Sequence, residues 1–212
     1  YLRQEPPFDV IVLPTSLLAS LAPPLRRELR RPVVCTLPGE DLFLEGLPLP
    51  YRKQANALIA EAAPSVHSFI ATSDYYADFM AGYLGVPRRQ IQVAPLGIRF
   101  DGLEPGAAPV GRPFTIGYMA RIAPEKGLHL LASAYIRLRR ELGLENARLE
   151  AAGYLAPEHR TYLDGIAKAL EAVGLAAEFR CHETIDRPRK LEFLKGLDLL
   201  SVPSPYAEPK GL

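Results

Sequence analysis

The sequence predicts an α/β protein built from parallel sheets. Three observations carry that expectation. Short β-branched or apolar runs alternate with amphipathic helix patterns along the whole chain, the arrangement of repeated βα units. A Pro/Gly-rich stretch at 101–113 divides the chain into two halves. The second half opens on a strand, a turn holding an arginine and a lysine, and a helix, all within the stretch 115–138.

In the first half, strands are expected at 10–13, 33–36, 69–71 and 91–93. Helices are expected between them at 17–30, 52–62 and 74–84. Ser73 suits the N-cap of the last helix, and Gly85 suits its end. These elements form an N-terminal domain over 1–100, followed by the linker 101–113 and a C-terminal domain over 114–212. The second domain restarts with a strand at 114–117 and a helix at 128–140, where Leu128, Leu131, Tyr135 and Leu138 recur at helical spacing. A strand at 148–152 precedes a helix at 157–173, whose Leu163, Ile166, Leu170 and Val173 share one face. A strand at 178–181, a helix at 189–197 and a strand at 198–202 follow. No repeat of solenoid period is visible.

Composition narrows the class. With 212 residues and 48% hydrophobic content, the chain can fill one large or two small cores. A net charge of +1 gives no general electrostatic case for a nucleic-acid partner. No apolar run has the length of a membrane span, and no signal pattern opens the chain. The two cysteines, Cys35 and Cys181, fall at strand ends far apart in sequence and read as packed thiols in a reducing cytoplasm. No CxxC or HxxxH pair and no Asp-x-Asp occurs, so no metal site is expected.

The chemistry-bearing residues cluster at two turns. Arg121 and Lys126 lie between the strand at 114–117 and the following helix. A helix start offers free N–H groups and a positive dipole end, which favour an anion. A planar guanidinium and a mobile ammonium added there suit a diphosphate. The second turn follows the strand at 198–202 and reads Pro203-Ser204-Pro205-Tyr206-Ala207-Glu208-Pro209-Lys210-Gly211-Leu212.

Taken together, the two turns resemble those of the retaining GT-B glycosyltransferases of family 4. Ala120-Arg121-Ile122-Ala123-Pro124-Glu125-Lys126-Gly127 is similar to the family's G-R-L-x-x-E-K-G turn. The stretch from Pro203 to Leu212 is similar to the P-S-x-x-E-x-F-G-L that opens its Glu-x7-Glu motif. Earlier segments fit the same pattern: Asp9-Val10-Ile11-Val12-Leu13, Pro32-Val33-Val34-Cys35-Thr36, Phe69-Ile70-Ala71-Thr72-Ser73 and Ile91-Gln92-Val93-Ala94-Pro95. The resemblance implies two Rossmann-like domains facing across a cleft, both incomplete in this chain, because the second glutamate would lie past Leu212. It implies transfer of a sugar from a nucleotide-diphosphate sugar with retention, no metal and no further cofactor.

By that resemblance, Glu208, Arg121 and Lys126 are the catalytic candidates. Arg121, Lys126, the backbone of Gly211 and Leu212, and the His182–Glu183 loop would hold the donor. Glu40 and Asp41 are candidates on the acceptor side. The acceptor would be a carbohydrate or a lipid-linked sugar, and the protein would work in the cytoplasm or at the inner face of the membrane. The Arg26-Arg27 and Arg30-Arg31 cluster reads either as a docking face on an anionic membrane or as a solvated helix end. The chain departs from the pattern at three places. Pro14 and Pro38 stand at or near positions where the family often has histidine, and Lys210 stands where it usually has an aromatic or apolar residue. The two prolines leave open an alternative, a catalytically idle sugar-nucleotide-binding relative.

Overall fold

The computed structural model describes residues 4, 6–98, 101–102 and 111–209. The chain forms two units, one of Tyr1–Ile98 with Glu208–Leu212 and one of Arg99–Ala207. Each has its own parallel four-stranded sheet.

In the first unit the elements run β1 (Ile11–Leu13), α1 (Ala22–Leu29), β2 (Val33–Leu37), α2 (Asp41–Glu45), α3 (Tyr51–Ala62), β3 (Ser68–Ala71), α4 (Asp74–Leu84) and β4 (Ile91–Val93). The strands lie in the order β1-β2-β3-β4, with Cys35 beside both Leu13 and Phe69. The strands contribute Leu13, Val33, Cys35, Leu37, Phe69 and Ile91 to the core, and the helices contribute Ile59, Tyr76 and Met80. Ser73 caps α4 by accepting the Tyr76 N–H at 3.1 Å, and Gly85 ends it in the left-handed region at φ 67°.

Two differences from the sequence reading have clear causes. The helix expected at 17–30 is a 3-10 turn over Ser16–Leu21 followed by α1. Pro23 and Pro24 lack N–H groups and fit only the first turn of a helix, so α1 restarts just before them. Helix α2 was not anticipated, because five residues are too few to show a period.

The second unit runs β5 (Phe114–Met119), α5 (Leu128–Arg140), β6 (Ala147–Gly153), α6 (Arg160–Glu171), β7 (Phe179–Glu183), α7 (Arg187–Lys195) and β8 (Leu199–Leu200). Its strand order is β7-β6-β5-β8. Helices α5 and α6 bury Leu128, Leu131, Tyr135, Leu163, Ile166 and Leu170 against Ile116, Tyr118, Leu149 and Ala151. Helix α7 begins at Arg187 rather than 189, because Asp186 caps it by accepting the Arg189 N–H at 3.0 Å.

The strand expected at 198–202 is reduced to the two residues of β8. Asp198 joins β5 through both its backbone, whose N–H donates to the Thr115 carbonyl at 2.9 Å, and its side chain. Its carboxylate accepts the Thr115 N–H at 2.7 Å and both terminal nitrogens of Arg112 at 2.7 and 3.1 Å. The last residues of the expected linker thereby become part of the second unit, while 103–110 lie outside the described residues. Among the described residues no helix is long and apolar enough to cross a membrane.

Candidate functional site

The order β7-β6-β5-β8 means that the chain builds outward from β5 and then returns to its other side. Such a reversal opens a crevice outside the carboxyl ends of β5 and β8, where the strand order switches, and ligands of open α/β sheets lie at such a point. The loops after β5 and β8 border this crevice in the second unit.

The loop after β5 is held on three sides. The buried Tyr118 donates its hydroxyl proton to the Arg121 carbonyl at 2.8 Å. The Ile122 N–H donates to the Tyr154 carbonyl at 2.8 Å, which fastens the loop to the one after β6. Two glycines allow close backbone approach. A Cβ on Gly153 would sit 1.7 Å from the Ala120 carbonyl oxygen. A Cβ on Gly127 would sit 1.9 Å from the Pro203 carbonyl oxygen, and Gly127 also has φ 76°. The turn carrying Arg121 and Lys126 is therefore pressed directly against the start of the second motif.

Arg121 is exposed, and its Nη2 donates to Glu125 at 3.0 Å. Lys126 is half-buried and closes the 3-10 turn Pro124–Lys126, directly before Gly127 and the start of α5. There the His129 N–H donates to the Tyr162 hydroxyl at 3.1 Å. A cation pair and a helix start thus share one short segment.

The end of β7 is differently occupied. His182 Nε2 lies 3.2 Å from the Glu150 carboxylate, and its ring meets Phe193 edge-on at 5.8 Å. His182 and Glu150 line a cavity of about 340 Å³ with Ile185, Arg189, Glu192 and Phe193. Glu183 accepts both terminal nitrogens of Arg160 at 2.7 and 2.8 Å. Those hydrogen bonds hold its carboxyl below the usual carboxylate range. Of the two, His182 faces a cavity and Glu183 is engaged in a fork with Arg160.

In the first unit, Glu40 and Asp41 are buried. One Glu40 oxygen accepts the Ser16 N–H at 2.8 Å, the Ser16 hydroxyl at 2.5 Å and the Thr15 hydroxyl at 3.2 Å. The other accepts the Gly39 N–H at 3.1 Å. Asp41 accepts the Tyr76 hydroxyl at 2.7 Å, and burial followed by that bond pushes the phenol well above its ordinary value. Both carboxylates tie loops together within their unit. Pro209 packs against Gly39, and its carbonyl accepts the Ser73 hydroxyl at 2.6 Å. Glu208 is half-buried beside it, while Gly211 and Leu212 lie outside the described residues.

Residues 1–101 match the family model of Glycosyltransferase Family 4. No curated protein matches the chain. Among solved structures, Alr3699/HepE from Anabaena, in complex with UDP, is similar with TM-score 0.77 and 18% identity, over 96% of this chain and 55% of that one. Sucrose-phosphate synthase from Thermosynechococcus elongatus gives 0.75 and 16%, over 97% and 52%. The catalytic domain of starch synthase IV from Arabidopsis thaliana, bound to ADP and acarbose, gives 0.67 and 17%, over 100% and 55%. The chain has the GT-B fold. It spans about half the length of these solved structures.

Within this GT-B chain the sequence reading missed the residues that position the site. Tyr118 and Tyr162 act through single hydroxyls on backbone groups, and nothing in their spacing marks them. Gly153 was legible only as a small residue at a strand end. Its need for space appears once the Ala120 carbonyl is in place.

Proposed function

We propose that the protein transfers a glycosyl group from a nucleotide-diphosphate sugar to a carbohydrate or lipid-linked acceptor, with retention and without a metal. The observation that carries this reading is the junction of the two motifs at Gly127 and Pro203, with Arg121 and Lys126 beside it at the start of α5. The leaving group of such a transfer is a nucleoside diphosphate, on which negative charge grows as the glycosidic bond breaks. Fixed cations and N–H groups aimed at that charge stabilise the transition state more than the ground state. The Arg121–Glu125 pair does not oppose this role. An exposed ion pair is worth about 0–1 kcal/mol, so a diphosphate can take over the guanidinium.

Supporting the donor class, HepE is bound to UDP and starch synthase IV to ADP. In this reading Glu208 lies near the reacting sugar, the backbone of Gly211 and Leu212 meets the donor, and the His182–Glu183 loop borders the nucleobase. Glu40 and Asp41 position the acceptor-side loop through the hydrogen bonds above. The protein acts in the cytoplasm or against the inner face of the membrane.

Calorimetric titration with UDP, GDP and ADP tests the donor site. One nucleotide should bind, and Lys126→Ala should weaken it more than about tenfold, the loss of one charge-assisted contact. Arg121→Lys should also weaken it, because a point charge cannot replace a fork. Unchanged affinity in both variants would sink the diphosphate site. With the matching donor, NMR should show a product anomer of the donor's configuration, and chelators should leave the rate unchanged.

A further inference from the structure

The first unit has a concave surface of its own, at the amino-terminal ends of β2 and β3. A cavity of about 300 Å³ is lined by Arg26, Arg30, Arg31, Pro32 and His67. Arg26 belongs to the last turn of α1, Arg30 is its C-cap, and Arg31 and Pro32 lead directly into β2. His67 comes from a different segment, immediately before β3, where its N–H donates to the Val33 carbonyl at 2.7 Å. Three guanidinium groups and an imidazole therefore border one pocket, and among the described residues that line it there is no carboxylate. Among the described residues none of these four side chains has an ion-pair or hydrogen-bond partner, whereas the neighbouring Arg27 pairs with Glu28 at 3.3 Å.

The dipole of α1 accounts for part of this arrangement. A cation in the last turn of a helix is favoured by about 0.3–1 kcal/mol. The dipole does not account for Arg30, which sits in the left-handed region at φ 53°. Glycine is the usual residue there, and a side chain costs about 1–2 kcal/mol. Nor does it account for bringing three like charges and a histidine from another loop to one concave, solvent-exposed surface. A bound oxyanion offsets their repulsion, and guanidinium forks match its oxygens two at a time.

We propose that this pocket binds the phosphate group of a small anion. It is distinct from the Arg121 and Lys126 turn proposed for the diphosphate, which belongs to the other unit. The phosphate comes either from a soluble phosphate compound or from a phospholipid headgroup.

Amide NMR of the protein titrated with inorganic phosphate at constant ionic strength tests the proposal. The amides of Arg30, Arg31 and His67 should shift and saturate. Arg30→Gly keeps the left-handed turn and relieves its strain, so it should fold normally while phosphate binds about tenfold more weakly. Arg26→Gln should weaken binding in the same direction. In the Arg121→Ala/Lys126→Ala variant these amides should titrate as in the parent, which separates this site from the donor site. No saturable shift at these amides, or an undiminished response in Arg30→Gly and Arg26→Gln, overturns the proposal. Co-sedimentation with phosphatidylcholine vesicles containing phosphatidic acid, reduced by Arg30→Gly, assigns the phosphate to a lipid headgroup. Phosphate titration without co-sedimentation assigns it to a soluble compound.

Discussion

At the scale of single residues, two glycines of the second unit show how differently one missing Cβ can matter. Gly127 combines φ 76° with a carbonyl oxygen 1.9 Å from where a Cβ would stand. Gly127→Ala must move the loop after β8 or the turn holding Lys126. Its expected cost is about 2–3 kcal/mol, seen as a lower urea midpoint, together with weaker nucleotide binding. Gly165 lies inside α6 with open space around it. Gly165→Ala should stabilise the protein by about 0.5–1 kcal/mol, by reducing the freedom of the unfolded chain and improving helix propensity. Equal effects of the two substitutions would contradict the packing of the two loops.

At the scale of elements, Asp198 shows how a strand end can be fixed by charge. The Thr115 N–H, then Arg112, hold its carboxyl below the ordinary carboxylate value. A depressed folded pKa means that the carboxylate stabilises the fold at pH above the unfolded value, about 4. That contribution is lost as pH falls through the lower folded value. Asp198→Asn should therefore lower the melting temperature at neutral pH, and the gap to the parent should close as pH falls below the ordinary carboxylate range. A gap that stays constant through that fall would show that the charge is not what holds β8 to β5.

The same element shows what could be read from sequence. Helices with a sustained apolar face, such as α5 and α6, were legible because period 3.6 repeats over several turns. Helix α4 was legible from both ends, through Ser73 and Gly85. The pattern of Leu199, Leu200 and Val202 promised a longer β8, but strand length depends on a partner register that sequence does not contain. At the site, Arg121 and Lys126 could be named from residue type and spacing. The Gly153–Ala120 approach and the Tyr118 hydroxyl could not, because each exists only between segments brought together by folding. Glu40 and Asp41 read from sequence as acceptor-side candidates, and their burial depends on Ser16 and Tyr76, distant in sequence.

At the scale of the whole molecule, each unit buries its own core, and the chain covers about half of the GT-B structures it resembles. Neither core draws on a disulfide, and the chain has two cysteines, one in each unit. Burial, then the charge of Glu40, pushes the Cys35 thiol up to about 12, and burial, then Glu183, pushes Cys181 up to about 11. A thiol at such values presents almost no thiolate near neutral pH and so reacts very slowly with alkylating reagents. Each unit thus carries a built-in clock for its own opening. Pulsed iodoacetamide labelling along a urea gradient, read by peptide mass spectrometry, should modify Cys35 only as the first sheet comes apart and Cys181 only as the second does. Prompt labelling of Cys35 without denaturant would show that β2 is not sealed between β1 and β3. With a saturating nucleoside diphosphate, the Cys181 clock should slow while the Cys35 clock keeps its pace.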